Sequence, residues 1–178
     1  MRIPPWSAEA APRDPALLEA ILKRRGGRLI NLDHALLWSE PLARGWNAYV
    51  GAVRRELSVS PRLKELAICT VARETHADYE FKHHWPEYVK AGGDDALRPR
   101  IMDPDSAATD TCFNEDERLA IRYALTMTRD VKVPDSLFKL LQARMSTQEL
   151  VELTAAIATY NMVARFLIAL DVEQETWR

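Results

Sequence analysis

A chain of 178 residues with 47% apolar side chains is long enough for one domain with a real core. Its 24 basic and 26 acidic residues, a net charge of −2, exclude the strong basic excess of a nucleic-acid surface. Two cysteines without CxxC spacing, Cys69 and Cys112, exclude a disulfide framework.

The first 14 residues hold three of the ten prolines and little periodicity. They have no apolar run of the secretory type, so the expected location is cytoplasmic. Residues 1–14 read as an arm that packs on the surface or on a partner subunit, and residues 15–178 as one all-α domain. The low count of six glycines fits a helical protein with few tight turns. Pro15 opens a first helix with Leu17, Leu18, Ile21 and Leu22 on one face, ended by Gly26 and Gly27. A short helix follows from Asn31. Pro41 marks a further start, and Trp46, Tyr49, Val50 and Val53 carry a stripe to about Leu57.

The stretch from Ser60 to Gly93 holds three of the four histidines. Ser60 and Pro61 suit the N-cap and first helical position. The helix they open is apolar on nearly every side, so Glu65 should point into an apolar setting. Asp78 is a candidate cap for a second helix that Gly92 and Gly93 would end. On that helix Glu80, His83, His84 and Glu87 fall at i, i+3, i+4 and i+7, which places them on one face.

From Asp103 the segment DPDSAATDTCFNEDE reads as a long polar loop. Asn114 with Glu117, and Ser146 with Glu149, have capping-box spacing for two further helices, with a short one from Asp135 between them. The helix after Ser146 is the most apolar of the chain. Asn161 and Arg165 lie in its middle, which favours a central helix of an all-α core over a membrane span. No period-2 strand pattern stands out.

The Ser60–Gly93 stretch resembles the carboxymuconolactone decarboxylase family, which includes alkyl hydroperoxidase D. The family pattern is a glutamate on one helix, a CxxC opening the next, and a histidine one turn later. Glu65 takes the glutamate position and His84 the final histidine. Ala77 and Glu80 stand where the peroxidase branch has its cysteines, and Tyr79 where it has a histidine between them. The decarboxylase-like branch lacks the pair and often shows Y-E-x-x-x-H, as in Tyr79, Glu80 and His84. The resemblance extends from about Asn31 to Leu170, including YNMVARFLIAL.

That resemblance implies an all-α helical bundle, a homo-oligomer, and loss of CO₂ from a small carboxylated lactone without a redox cofactor. Glu65, Tyr79, Glu80 and His84 are the expected catalytic residues; Arg165, Asn161 and His83 are the expected substrate-binding ones. Each has a plainer alternative. Glu65 would equally serve as a core carboxylate tied to an arginine. Glu80 and His84 would equally be an ordinary i, i+4 pair. Tyr79 is also placed for amphipathic packing, and His83 for a subunit contact. Arg165, read as buried, would pair with a protein carboxylate such as Glu65 or with a substrate carboxylate. The E-x-x-H-H-x-x-E run offers metal-ligand types, but only one E-x-x-H copy is present, so no metal is expected. A non-catalytic binding protein of the same fold is the alternative function. A thiol peroxidase is disfavoured, because Ala77 and Glu80 cannot supply its two thiols.

Overall fold

A computed structural model describes residues 1–11 and 13–176. Pro12 of the expected arm, and Trp177 and Arg178 at the end of the expected domain, lie outside the described residues. Every regular element among the described residues is helical, as the capping signals and helical stripes predict.

Helix α1 spans Pro15–Arg25. Asp14 caps it by accepting from the Ala16 N–H at 2.9 Å, and Gly26 ends it at φ 74°, the left-handed cap that glycine adopts without strain. Helices α2 (Asn31–Leu36) and α3 (Glu40–Arg55) follow. Helices α4 (Pro61–Glu74) and α5 (Asp78–Lys90) form the expected pair. Ser60 caps α4 through the Leu63 N–H. Asp78 does not cap α5. It is the first helical residue, and its carboxylate takes a 2.7 Å bond from Arg73 instead. The turn between α4 and α5 is made by His76, which is exposed and adopts φ 58°.

The polar segment from Asp103 is more ordered than a loop. Asp103 and Pro104 open a single-turn helix, α7 (Pro104–Ala107), just after α6 (Arg98–Ile101). Both expected capping boxes are present. In α8 (Glu115–Arg129) the Glu117 N–H donates to Asn114 Oδ1, and the Asn114 N–H donates to Glu117 Oε2. Ser146 and Glu149 exchange the same two bonds ahead of α10 (Thr147–Ala169), after the short α9 (Asp135–Gln142).

The chain groups into two compact units, Met1–Glu56 with Phe166–Arg178, and Leu57–Arg165. In the first, the arm packs on its own chain. Trp6 is buried and donates its indole N–H to Ala11 O, and the Trp38 indole donates to Pro4 O. The Arg13 guanidinium donates to the Leu37 and Trp38 carbonyls. Asp33 is buried but fully engaged by the Ile30 N–H and the Arg25 guanidinium, as a buried charge requires.

The second unit contains the residues expected to carry chemistry. Its core joins Leu66, Cys69 and Ala72 of α4 to Phe81, Trp85 and Tyr88 of α5, with Ile121 and Leu125 of α8 and Ala164 of α10. Gly93 closes α5 against the buried Tyr88, since a Cβ there would fall 2.3 Å from the ring.

Helix α10 is long and apolar enough to cross a membrane by length and composition, yet 44% of its most apolar window is buried within the protein. Leu153, Ala156, Ile157, Tyr160, Val163 and Ala164 are buried, whereas Val151, Met162 and Arg165 are exposed. One face of α10 therefore packs inward and the opposite face does not.

Candidate active site

Helix α4 is buried from Leu63 to Ala72, and two charged residues lie within that run, Lys64 and Glu65. A buried charge persists only when it is paired. Glu65 Oε2 lies 2.6 Å from His84 Nδ1, and Glu65 Oε1 lies 3.8 Å from Lys64 Nζ. All three side chains are almost completely enclosed. A carboxylate accepts only, so in this contact Nδ1 carries the hydrogen and donates it. That fixes the imidazole tautomer and ring orientation, as a carboxylate does for a catalytic histidine. The His84 and Tyr160 rings, the latter on α10, meet at a near-right angle with centroids 4.6 Å apart.

Glu80 lies one turn before His84 on α5 and is 2% exposed. Neither of its carboxyl oxygens has a hydrogen-bond partner within the protein. Burial pushes its carboxyl well above the ordinary value. Cys69, one turn after Glu65 on α4, is completely buried, and burial with the nearby Glu65 and Glu80 carboxyls raises its thiol well above the usual range. It is a poor nucleophile there.

The expected face of four residues on α5 divides. Glu80 and His84 are buried, while His83 and Glu87 are only half-buried. The His83 ring stacks on Tyr79 at 4.4 Å, and its Nδ1 donates to the Tyr79 carbonyl at 2.7 Å. Glu87 pairs with Lys90. Among the described residues no group of three or more histidine, cysteine or acidic side chains is arranged to hold a metal ion. Tyr79 is buried.

Arg165 departs from expectation. It is exposed rather than buried, and its guanidinium is spent on Asn161 O and Oδ1, both at 2.8 Å. Asn161 in turn donates to Thr128 Oγ1 at 2.9 Å, which ties α10 to α8. The i, i+4 neighbour outcompetes a distant anion because the bond forms without burying charge. The pairing of Arg165 with Glu65 is therefore replaced by Lys64 and His84. Sequence reasoning missed Lys64 and Tyr160. The available signal for Lys64 was a second charge inside an apolar helix; for Tyr160 it was a hydroxyl-bearing ring in the most apolar one.

No family model matches the sequence, and no curated protein matches it. Solved structures do match the fold. An uncharacterised peroxidase-related protein from Ralstonia eutropha JMP134, described as an alkylhydroperoxidase AhpD core, superposes with a TM-score of 0.82 at 13% identity, covering 99% of this chain and 93% of its own. The chain has the alkylhydroperoxidase AhpD fold. An uncharacterised peroxidase-related protein from Silicibacter sp. TM1040 matches the AhpD fold of this chain with a TM-score of 0.78 at 15% identity, over 93% of this chain and 89% of that one. The debrominase Bmp8, as a cysteine-to-alanine variant in complex with 2,3,4-tribromopyrrole, matches with a TM-score of 0.76 at 18% identity, over 97% and 90%. Within the AhpD fold this chain has no CxxC pair, and its cysteines are both free, Cys69 buried and Cys112 exposed.

Proposed function

We propose that the protein is a cofactor-free decarboxylase of the carboxymuconolactone type, acting on a small carboxylated lactone or related acid. The observation that carries this reading is the buried 2.6 Å contact between Glu65 and His84, which joins the two helices of the motif. Burying a carboxylate, an ammonium and an imidazole together costs desolvation, and a catalytic role gives that cost a use. The absence of a cysteine pair at Ala77 and Glu80 speaks against thiol redox chemistry. The tribromopyrrole ligand of the debrominase supports a small ring as the kind of molecule this fold admits.

In the reaction the bond to the carboxylate carbon breaks and CO₂ leaves. The electron pair moves into the conjugated ring carbonyl and gives an enolate. His84, held through Nδ1–H by Glu65 and charged as the imidazolium, delivers its Nε2 proton to carbon and is left as the neutral Nδ1–H tautomer, and solvent restores the Nε2 proton. Lys64 offsets the Glu65 charge, so Glu65 remains a hydrogen-bond acceptor throughout. The same reading expects a cytoplasmic homo-oligomer, for whose subunit contact the outward apolar side chains Leu140, Val151 and Met162 offer surface.

The test is CO₂ release from a panel of carboxylated lactones and keto acids, by wild type and by Glu65→Gln and His84→Gln. Turnover by wild type and a loss of about 10²-fold or more in both variants is the expected result. Binding of panel members without any turnover would favour the non-catalytic reading.

A further inference from the structure

Glu80 is a buried carboxyl of this cluster whose chemistry the Glu65–His84 pair leaves unused. A carboxyl that is 2% exposed, with neither oxygen bonded to protein, forfeits its hydration and receives nothing in return. Its position makes that costly arrangement intelligible. Glu80 and His84 share one face of α5 one turn apart, while Glu65 and Cys69 share one face of α4 one turn apart. His84 meets Glu65 directly. A small ring that takes a proton from His84 would find Glu80 one turn away along the same face of α5.

We propose that Glu80 is the hydrogen-bond donor for the substrate's ring carbonyl oxygen, the atom that becomes the enolate oxygen when CO₂ leaves. The inference rests on the decarboxylase reading for its reaction, but not for its ligand chemistry: Glu80 should recognise any small ring bearing an enolate-like oxygen. Burial favours the acid form of the carboxyl over the charged one, and an acid O–H is a donor where a carboxylate would repel the same oxygen. The proton stays on Glu80 while negative charge grows on the substrate oxygen, so the bond is strongest when the enolate forms. His84, not Glu80, supplies the proton that ends on carbon. No electrons are exchanged with the protein, and the one proton consumed per turnover comes from solvent through His84.

The test uses substituted phenols of graded acidity as probes, since a phenolate presents the same oxygen as an enolate. Binding is followed by the ultraviolet absorption that separates phenol from phenolate. Infrared spectra of the free protein at neutral pH supply a second readout. Wild type should show a protonated-carboxyl carbonyl band that is missing in Glu80→Gln and shifts when a phenol binds. Glu80→Met, which lacks any donor, should bind phenolates about tenfold or more weakly, while Glu80→Gln, which keeps an N–H donor, should stay within a few-fold of wild type. If Glu80→Met does not fold, the infrared band and the Glu80→Gln comparison decide alone. The proposal is overturned if the band is absent from wild type or unchanged in Glu80→Gln, if wild type binds no phenol, or if Glu80→Met binds phenolates as well as wild type. Failure of CO₂ release with these binding and infrared results intact would sink the decarboxylase reading and leave Glu80 as the donor.

Discussion

His84 Nδ1 stands 2.6 Å from Glu65 Oε2 across the α4–α5 pair, with both side chains sealed from solvent. Two residues 19 positions apart thus form one unit, and removing either takes this contact away from the other. Replacing Glu65 with Gln and His84 with Gln, singly and together, should give a coupling energy of about 1–3 kcal/mol in chemical denaturation. Additive effects would mean that the two side chains do not act together.

Glu80 should leave a signature in stability against pH. Its folded-state carboxyl lies well above its ordinary value because it is buried. Above the ordinary value the unfolded chain releases this proton while the folded chain keeps it. Stability is therefore fully present below the ordinary value and falls as pH rises towards the folded one, by at most about 1.4 kcal/mol per pH unit. Glu80→Gln removes this titration. The variant should gain on wild type, measured as the difference in Tm, as pH rises from the ordinary carboxyl value towards the folded one. A constant difference across that range would contradict the burial of an acid at this position.

The two cysteines should differ sharply. Cys112 is exposed, whereas Cys69 is enclosed and its thiol is raised by burial and by Glu65 and Glu80. A thiol reagent should label Cys112 in the native protein and reach Cys69 only after unfolding. Peroxide consumption with a dithiol reductant should be absent. Robust turnover that disappears when both cysteines become serine would overturn the non-redox account.

Much of this site was legible in the sequence because its signals are local. The two capping boxes need only their own four residues, and both formed at Asn114–Glu117 and Ser146–Glu149. Glu65 and His84 were legible through the register of a motif. Lys64, Tyr160 and the exposure of Arg165 were not. Helix α10 is apolar on almost every side, so periodicity cannot say which face turns inward; tertiary packing decides it. Asp78 was misread for a related reason. A helix-start aspartate is a good cap in isolation, but Arg73, one turn back across the His76 corner, offers it a charge.

Backbone geometry gives a pair of opposed expectations. Val131 is 82% exposed and adopts φ 62°, which a β-branched residue reaches only with strain. Val131→Gly should stabilise by about 1 kcal/mol. Gly93→Ala should do the reverse, by about 2–3 kcal/mol, because the new methyl would overlap the buried Tyr88 ring. Thermal unfolding of the two variants checks both signs.

The most direct measurement is isotopic. Turnover of a carboxylated lactone in D₂O should place one deuterium on the carbon bearing the former carboxylate bond, or on the carbon conjugated to it. His84→Gln should abolish that incorporation while still binding the lactone. Product without solvent deuterium, or full incorporation by His84→Gln, would contradict proton delivery by the Glu65–His84 pair.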